Sequence, residues 1–322
     1  MIRRRTLAAL AAATAMVPAA RAEDWPTRPI RLIVAFAPGG ATDVLARLTA
    51  EHLSRELGQS VVVDNRAGAA GIIGTELAAH SAPDGDTLLL GTISTHAMNV
   101  PLYGAKLSYD PVKDFAPVAR LANGYNVLVV HPSVPAHNVA ELIALAKAKP
   151  GSLAYGSGGN GTSSHLAAEM FKSMAGVDLL HVPFRSTAPA ATALMSNEVQ
   201  VMFDTSVSSL PMARAGQLRL LAVASPARLP DMPDVPTVAE TLPGFEMGTW
   251  NGLYAPVGTP APILARLDAA VQAVLRNPDL IARYATLGTV PFYAGPEEFN
   301  RFLVAEIDRW TEVVRSAGIT MD

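Results

Sequence analysis

From Ile30 onward, short apolar runs alternate with stretches in which apolar residues recur at helical spacing. Ile30 to Phe36 reads as a buried strand, Ala37-Pro38-Gly39-Gly40 as a turn, and Ala41 to Leu57 as an amphipathic helix. Val44, Leu45, Leu48, Leu53 and Leu57 fall on or near one face of that helix. Ser60 to Val63 predicts a second strand and Ile72 to Ala82 a second helix. Thr87 to Leu90 predicts a third strand, which runs into Gly91-Thr92-Ile93-Ser94-Thr95-His96. The order recurs later in the chain, with a strand at Leu153 to Tyr155, a glycine-rich turn at Gly156 to Gly161 and a helix at Thr162 to Met174. Leu179 to Pro183 then predicts a strand, Pro189 to Met195 a helix, and Val199 to Phe203 a strand ending in Asp204-Thr205-Ser206.

Each half thus has the order β–α–β–α–β, which predicts two parallel sheets flanked by helices. Between them, Asn123-Gly124 interrupts the strand-forming stretch from Val118 to His131 and marks a crossing from one half to the other. A strand at Leu218 to Ala224, a proline-rich loop, a strand at Trp250 to Ala255 and helices at Pro262 to Leu275 and Pro296 to Ala317 complete the pattern. Placing this tail back on the first half predicts crossings near 122–126 and 245–250. The expected lobes are then 23–123 with 249–322, and 124–248. In open parallel sheets, ligands sit at the carboxyl ends of the strands. The strand-end loops of both halves carry Gly, Ser, Thr, Asn and His, so the expected fold is an α/β protein with two lobes and a ligand cleft between them.

The N-terminus has a different character. Arg3-Arg4-Arg5 precedes an Ala- and Leu-rich stretch from Leu7 to Val17, and Ala20-Arg21-Ala22 offers a cleavage site after Ala22. Residues 1–22 therefore predict a secretory signal, and Arg4-Arg5-Thr6-Leu7 keeps twin-arginine export open beside the general route. Removing them takes away four arginines and no acids, leaving 21 basic and 28 acidic residues, a balance of −7. That charge argues against nucleic acid or an anionic membrane as the main partner. The chain has no cysteine, which excludes a disulfide framework, a thiolate metal site and a cysteine nucleophile. With 322 residues, half of them hydrophobic, core packing suffices for folding, and the periplasm is the expected location.

Gly156-Ser157-Gly158-Gly159-Asn160-Gly161 is a literal GxGxxG, but no carboxylate stands at the end of the following strand, where Phe184-Arg185 lie. What remains is a loop whose backbone amides can approach an anion at a helix start. Ala37 to Thr42 offers the same device in the first half. Segments 36–43, 92–99 and 156–165 contain no Lys or Arg. Micromolar affinity requires about 8 kcal/mol. Two helix termini contribute at most ~2 kcal/mol each, and two or three charge-assisted hydrogen bonds ~1.5–3 kcal/mol each. That sum suits a carboxylate and is too small for a triphosphate. No GxSxG or HExxH motif occurs and the seven histidines show no metal spacing, so no catalytic set, metal or cofactor is expected. His96 and His165 serve equally well as loop-capping residues, Asp43 as a first-turn acid, and Thr42, Thr162 and Ser163 as N-caps. Asp204, at a strand end, is a site candidate that orders the cleft or meets a donor group on the ligand.

Taken together, several segments resemble the Bug family, the extracytoplasmic solute-binding receptors of the tripartite tricarboxylate transporter type. They include Trp25-Pro26-Thr27-Arg28-Pro29-Ile30-Arg31, Ala37-Pro38-Gly39-Gly40-Ala41-Thr42-Asp43, Val62-Val63-Asp64-Asn65-Arg66-Ala67-Gly68 and Pro83-Asp84-Gly85. Tyr109 to Pro117, Asn160-Gly161-Thr162-Ser163-Ser164-His165, Asp234-Val235-Pro236-Thr237 and Ala255 to Pro260 continue the likeness over essentially the whole exported chain. The resemblance implies a type II periplasmic binding protein whose lobes close on a small carboxylate: a dicarboxylate, tricarboxylate, amino acid or aromatic acid. It implies contacts from Phe36, Gly39, Gly40, Ala41, Thr42 and Asp43, and from Ser157, Gly158, Asn160, Thr162, Ser163 and His165. Thr92, Ser94, His96, Asp204 and Ser206 would shape the rest of the pocket. Where the family commonly has Val-Pro-Tyr-Lys-Gly-Ser, this chain has Val182-Pro183-Phe184-Arg185-Ser186-Thr187, with Thr187 as the carried-over contact. The implied partner is the membrane part of a tripartite transporter, served by a monomeric receptor. A sensor reporting to a membrane kinase and an exported enzyme acting on carboxylates are the alternatives.

Overall fold

A computed structural model describes residues 25–316 and Ile319, so the predicted export signal lies outside the described residues. The first lobe opens with β1 (Ile30–Val34), α1 (Ala41–Leu57), β2 (Val61–Asn65), α2 (Ile72–Ala79) and β3 (Thr87–Thr92). A single π-helical turn at Ser94–Met98 leads into α3 (Asn99–Tyr103) and then β4 (Phe115–Val130). The second lobe holds α4 (Val139–Ala148), β5 (Ala154–Ser157), α5 (Ser163–Ala175), β6 (Leu180–Pro183), α6 (Thr187–Met195), β7 (Val201–Thr205), α7 (Ser206–Arg214) and β8 (Arg219–Val223). The chain returns through β9 (Gly248–Pro256) to α8 (Ala261–Leu275), α9 (Pro278–Thr286), β10 (Val290–Ala294) and α10 (Pro296–Ser316).

The two βαβαβ units form the parallel triplets β2-β1-β3 and β6-β5-β7. Antiparallel strands join them: β9 lies between β3 and β4, and β7 pairs with the far end of β4. β4 is 16 residues long because it belongs to both sheets. Phe115 to Tyr125 pairs with β9, whereas Asn126 to Val130 pairs with β7 and β8. The return passage is held beside it, since Asn126 N–H donates to the Met247 carbonyl at 3.0 Å and Met247 N–H to the Ala224 carbonyl at 2.8 Å.

The triplets are covered on both faces, so their strands read as continuous apolar runs rather than alternations. In β1, Ile30, Leu32 and Val34 pack toward α1 and α8, while Ile33 joins the cluster on the opposite face with Leu89. In β4, Val127 and Val129 face one cluster and Leu128 and Val130 the other. α10 buries Phe299, Leu303, Trp310 and Val314 at the spacing that made it legible. Gly91 is required in β3 because a Cβ there would lie 2.5 Å from the Tyr254 ring and 2.8 Å from that of His96.

α3, α4, α7, α9 and β10 are absent from the predicted pattern. α4 had a readable start, since Asn138 accepts the Glu141 N–H at 2.9 Å, and Asn277 caps α9 in the same way through Asp279. α7 contains Pro211, and β10 is mostly exposed on an edge, so neither shows a clear period. α2 ends at Ala79 rather than continuing to Ala82, as Ser81 N–H already turns back to the Ala78 carbonyl ahead of Pro83.

Candidate functional site

Four helices, α1, α5, α6 and α7, begin on strand-end loops that open into one cavity between the lobes. Their N-cap residues are Gly40, Thr162, Ser186 and Thr205, and none of the four caps its helix with a side chain. Of the helices that start elsewhere, α4 and α9 are capped by Asn138 and Asn277, whereas α2, α3 and α8 have no side-chain cap. A helix start leaves backbone N–H groups without intrahelical partners and carries partial positive charge. The cavity is therefore rimmed by four helix starts, one from the first lobe and three from the second. It measures about 60 Å³, and among the described residues its lining contains no charged side chain. Ser186 Oγ and Thr205 Oγ1 are buried without a hydrogen-bond partner.

The lobes touch across this cavity. Ser163 N–H, at the start of α5, donates to Ser94 Oγ of the first lobe at 3.1 Å. Ala41 N–H, at the start of α1, donates to Thr187 Oγ1 of the second lobe at 3.5 Å. The conformation is thus a closed one, in which hydroxyls of one lobe meet helix-start amides of the other.

Of the residues singled out from sequence, Phe36, Gly40, Ala41, Thr42, Thr92, Ser94, Gly158, Thr162, Ser163, Thr187 and Ser206 line the cavity. Seven others stand off its wall. Gly39 turns its N–H to Asp43 Oδ2 at 2.9 Å. Asp43 accepts from Arg47 Nε at 3.0 Å and Asn65 Nδ2 at 2.9 Å as well. Burial opposes its ionisation, but these hydrogen bonds outweigh it and hold the carboxyl below the ordinary range. Asp43 clamps the loop after β1. His96 is fully buried, stacked on Tyr254 at 4.0 Å with Thr95 Oγ1 at 2.9 Å from Nδ1, and burial pushes its pKa down to about 3. His96 belongs to the core of the first lobe.

In the second lobe, Ser157 Oγ contacts His181 Nε2 at 2.7 Å and accepts the Gly159 N–H, beneath the glycine loop. His165 Nδ1 accepts the Gly161 N–H at 3.1 Å, and its ring stacks on His181 at 4.4 Å. Burial lowers the pKa of both imidazoles, that of His181 to about 4, so they are neutral supports of the loop. This Ser–His pair is off the cavity wall. Asn160 faces a neighbouring groove. Asp204 is buried directly behind the cavity. Its Oδ1 accepts the Thr205 N–H at 2.7 Å and its Oδ2 the Ser209 hydroxyl at 2.7 Å. Burial raises its pKa to about 6.

Residues that the sequence reading missed form the floor. Gly124 of β4, Thr249, Trp250 and Asn251 of β9, and Thr289 line the cavity where the strands pass between lobes. The predicted crossings were the available signal: a strand spanning two lobes must pass under the cleft they enclose. Ser164, Ser186 and Thr205 complete the hydroxyl-rich wall beside neighbours that were singled out. No group of His, Cys, Asp or Glu among the described residues is arranged to hold a metal ion. No helix among them is long and apolar enough to cross a membrane.

The sequence profile of the family described as "Tripartite tricarboxylate transporter family receptor" matches residues 45–319. The solved periplasmic binding protein BugD is 33% identical, with a TM-score of 0.89 over 92% of this chain and all of that one. An R. palustris protein solved with adipate is 40% identical, with a TM-score of 0.89 over 92% of this chain and 99% of that one. MatC from Rhodopseudomonas palustris, solved with bound malate, is 37% identical, with a TM-score of 0.86 over 90% of this chain and all of that one. These relatives are solute-binding proteins of the same two-lobed α/β architecture. The chain belongs to this family of periplasmic receptors, the Bug-type extracytoplasmic solute-binding proteins of tripartite tricarboxylate transporters.

Proposed function

We propose that the protein, exported by its first 22 residues, captures a small carboxylate between its lobes and delivers it to the membrane subunits of a tripartite tricarboxylate-type transporter. The observation that carries this reading is the convergence of four helix starts without side-chain caps on a cavity with no charged lining among the described residues. Such a wall offers N–H and O–H donors in quantity and no fixed counter-charge. A carboxylate has two oxygens with about four lone-pair sites for such donors. The adipate and malate found with relatives belong to the same chemical class.

The first lobe presents one of these helix starts and the second lobe the other three. A carboxylate bound to the α1 start of the first lobe is met by the α5, α6 and α7 starts only when the lobes approach. Its differential contacts then favour the closed state, which is the signal a membrane partner reads. The cross-lobe bonds Ser163–Ser94 and Ala41–Thr187 add a fixed increment to closure and set its register.

Calorimetry of the purified protein with mono-, di- and tricarboxylates, amino acids and aromatic acids tests the reading. The expected result is binding of at least one acid in the micromolar range or tighter, accompanied by compaction in small-angle scattering. No heat from any acid would overturn it.

A further inference from the structure

Beneath the glycine loop of the second lobe, two imidazoles serve as hydrogen-bond acceptors. Ser157 is fully buried, and its Oγ accepts the Gly159 N–H at 3.2 Å and lies 2.7 Å from His181 Nε2. Among the described residues that ring nitrogen is the one acceptor within reach of the Ser157 O–H, so the hydroxyl donates to it and His181 carries its proton on Nδ1. His165 Nδ1 accepts the Gly161 N–H at 3.1 Å, which places its proton on Nε2. Both arrangements require neutral rings. A proton on His165 Nδ1 sets two donors against each other. One on His181 Nε2 leaves the hydrogen of the buried Ser157 hydroxyl without an acceptor.

The two rings stack at 4.4 Å, so charging one opposes charging the other. Burial is the leading cause that holds both below the ordinary imidazole range, His181 at about 4. Among the described residues the charged groups that act on them are Lys172, which works in the same direction, and Glu169, which works against it. The Glu169 carboxylate accepts from Tyr155 Oη at 2.6 Å and Lys172 Nζ at 2.9 Å, and the Tyr155 ring completes the stack on His181 at 4.6 Å. The loop held in this way carries Gly158 and leads into Thr162 and Ser163, all three on the cavity wall. Gly159 and Gly161 have φ +119° and +85°, and glycine is free to leave such a conformation once its N–H is let go. We propose that His181 and His165 are positioning residues for the second-lobe wall, which hold the glycine loop as neutral acceptors and release it, with the bound acid, when they are protonated. The release of an acid rests on the carboxylate reading above, whereas the hold on the loop does not.

His181, at about 4 in the held loop, returns toward 6.5 when the loop lets go, so the hold is complete above about pH 6.5 and lost as pH falls toward 4. Linkage between these two values makes opening of the loop about twentyfold easier at pH 5 than at pH 7. In the ligand-free protein at pH 7, nitrogen NMR of the imidazoles should show His181 as the Nδ1–H tautomer and His165 as the Nε2–H tautomer. Hydrogen-exchange protection of the Gly159 and Gly161 amides should fall about tenfold or more between pH 7 and pH 5. The double variant His181→Gln with His165→Asn keeps an amide oxygen near each accepting nitrogen and does not titrate there, so its fall should be less than about threefold. Asp204 titrates in the same window, and comparing the two proteins cancels its effect. A charged ring or the opposite tautomer at pH 7, which is read on the wild-type protein alone, overturns the proposal. So does an equal fall of protection in both proteins. Adipate is the probe for the wall. Its affinity should drop about fivefold more between pH 7 and pH 5 in the wild-type protein than in the double variant, a ratio from which the titration of adipate itself cancels. Equal drops overturn the link from loop to ligand. No heat from adipate bears on the carboxylate reading only, because the exchange and imidazole measurements use the ligand-free protein and decide the hold on the loop by themselves.

Discussion

Gly40 and Thr187 face each other across the cleft at a distance that makes a methyl group on Gly40 a tight fit. A Cβ on Gly40 would lie 3.2 Å from Thr187 Oγ1, the atom that accepts the Ala41 N–H. Gly40 itself has φ −78° and ψ 170°, an extended conformation open to any residue. Its lack of a side chain therefore matters to closure rather than to the folding of the first lobe.

The consequence is a substitution whose effects on folding and binding separate. Gly40→Ala should leave the melting temperature within about 2 °C of wild type, since the added atom meets nothing in its own lobe closer than the Ala37 carbonyl at 3.6 Å. Affinity for the ligand should fall roughly tenfold, equivalent to ~1.4 kcal/mol, and Gly40→Val should bind more weakly still. Calorimetry and thermal melts on the same preparations check both halves of the statement. Unchanged affinity in Gly40→Val would mean that closure does not bring these loops together.

Ser186 gives the opposite pairing of signs. Its hydroxyl is buried at the start of α6 with no partner, and a buried unsatisfied polar group is destabilising. Ser186→Ala removes that group, so stability in urea should stay level or rise by up to ~1 kcal/mol. A hydroxyl that meets the ligand carboxylate contributes about 1.5–3 kcal/mol to binding, so affinity should drop by tenfold or more. A variant that lost stability and kept its affinity would place Ser186 in the fold alone.

The loops and the floor differ in how far the sequence reveals them. Gly40, Thr42, Gly158 and Thr162 are legible because a βαβ unit forces each strand-end loop into a helix start on one edge of its sheet. Trp250 and Asn251 are not, because their position depends on register: Asn123 pairs with Trp250 and Ala122 with Asn251, across more than a hundred residues of intervening chain. Asp43, His96, His165 and Asp204 attract attention as chemistry-bearing residues, yet each is turned inward. A wall built from amides and hydroxyls needs rigid support behind it, and the titratable side chains supply that by accepting loop or helix-start N–H groups, as Asp43 does from Gly39 and Asp204 from Thr205. The fold's outline follows from periodicity, whereas the assignment of a polar residue to the wall or to its support depends on tertiary packing.

Asp204 makes stability depend on pH in an unusual direction. Its folded-state pKa is raised from 3.8 to about 6 by burial, so the native state favours the protonated carboxyl more than the unfolded chain does. The associated stabilisation is complete below about pH 4 and is lost as pH rises through about 6. The difference is on the order of 2–3 kcal/mol. Asp204→Asn keeps an acceptor for the Thr205 N–H or the Ser209 hydroxyl and removes the titration. Urea denaturation of both proteins at pH 4 and pH 7 should therefore show the wild type losing ground to the variant at the higher pH. Parallel stabilities at both values would show that Asp204 does not titrate in this range.

Trp250 should report ligand directly. It is 2% exposed, lies on the cavity floor, and packs edge-on against Phe299 and Phe302 at 5.6 Å each, with Nε1 donating to Glu306 at 3.0 Å. The chain's two other tryptophans, Trp25 and Trp310, do not line the cavity. An anion placed at the helix starts changes the field at the Trp250 ring, so saturating ligand should shift the intrinsic emission. Trp250→Phe should abolish that shift. The variant loses a charge-assisted hydrogen bond worth about 1.5–3 kcal/mol of stability, which calls for a melt to confirm that it is folded at the assay temperature. A ligand-induced shift that persists in Trp250→Phe would assign the signal to Trp25 or Trp310, and hence to a rearrangement away from the cleft.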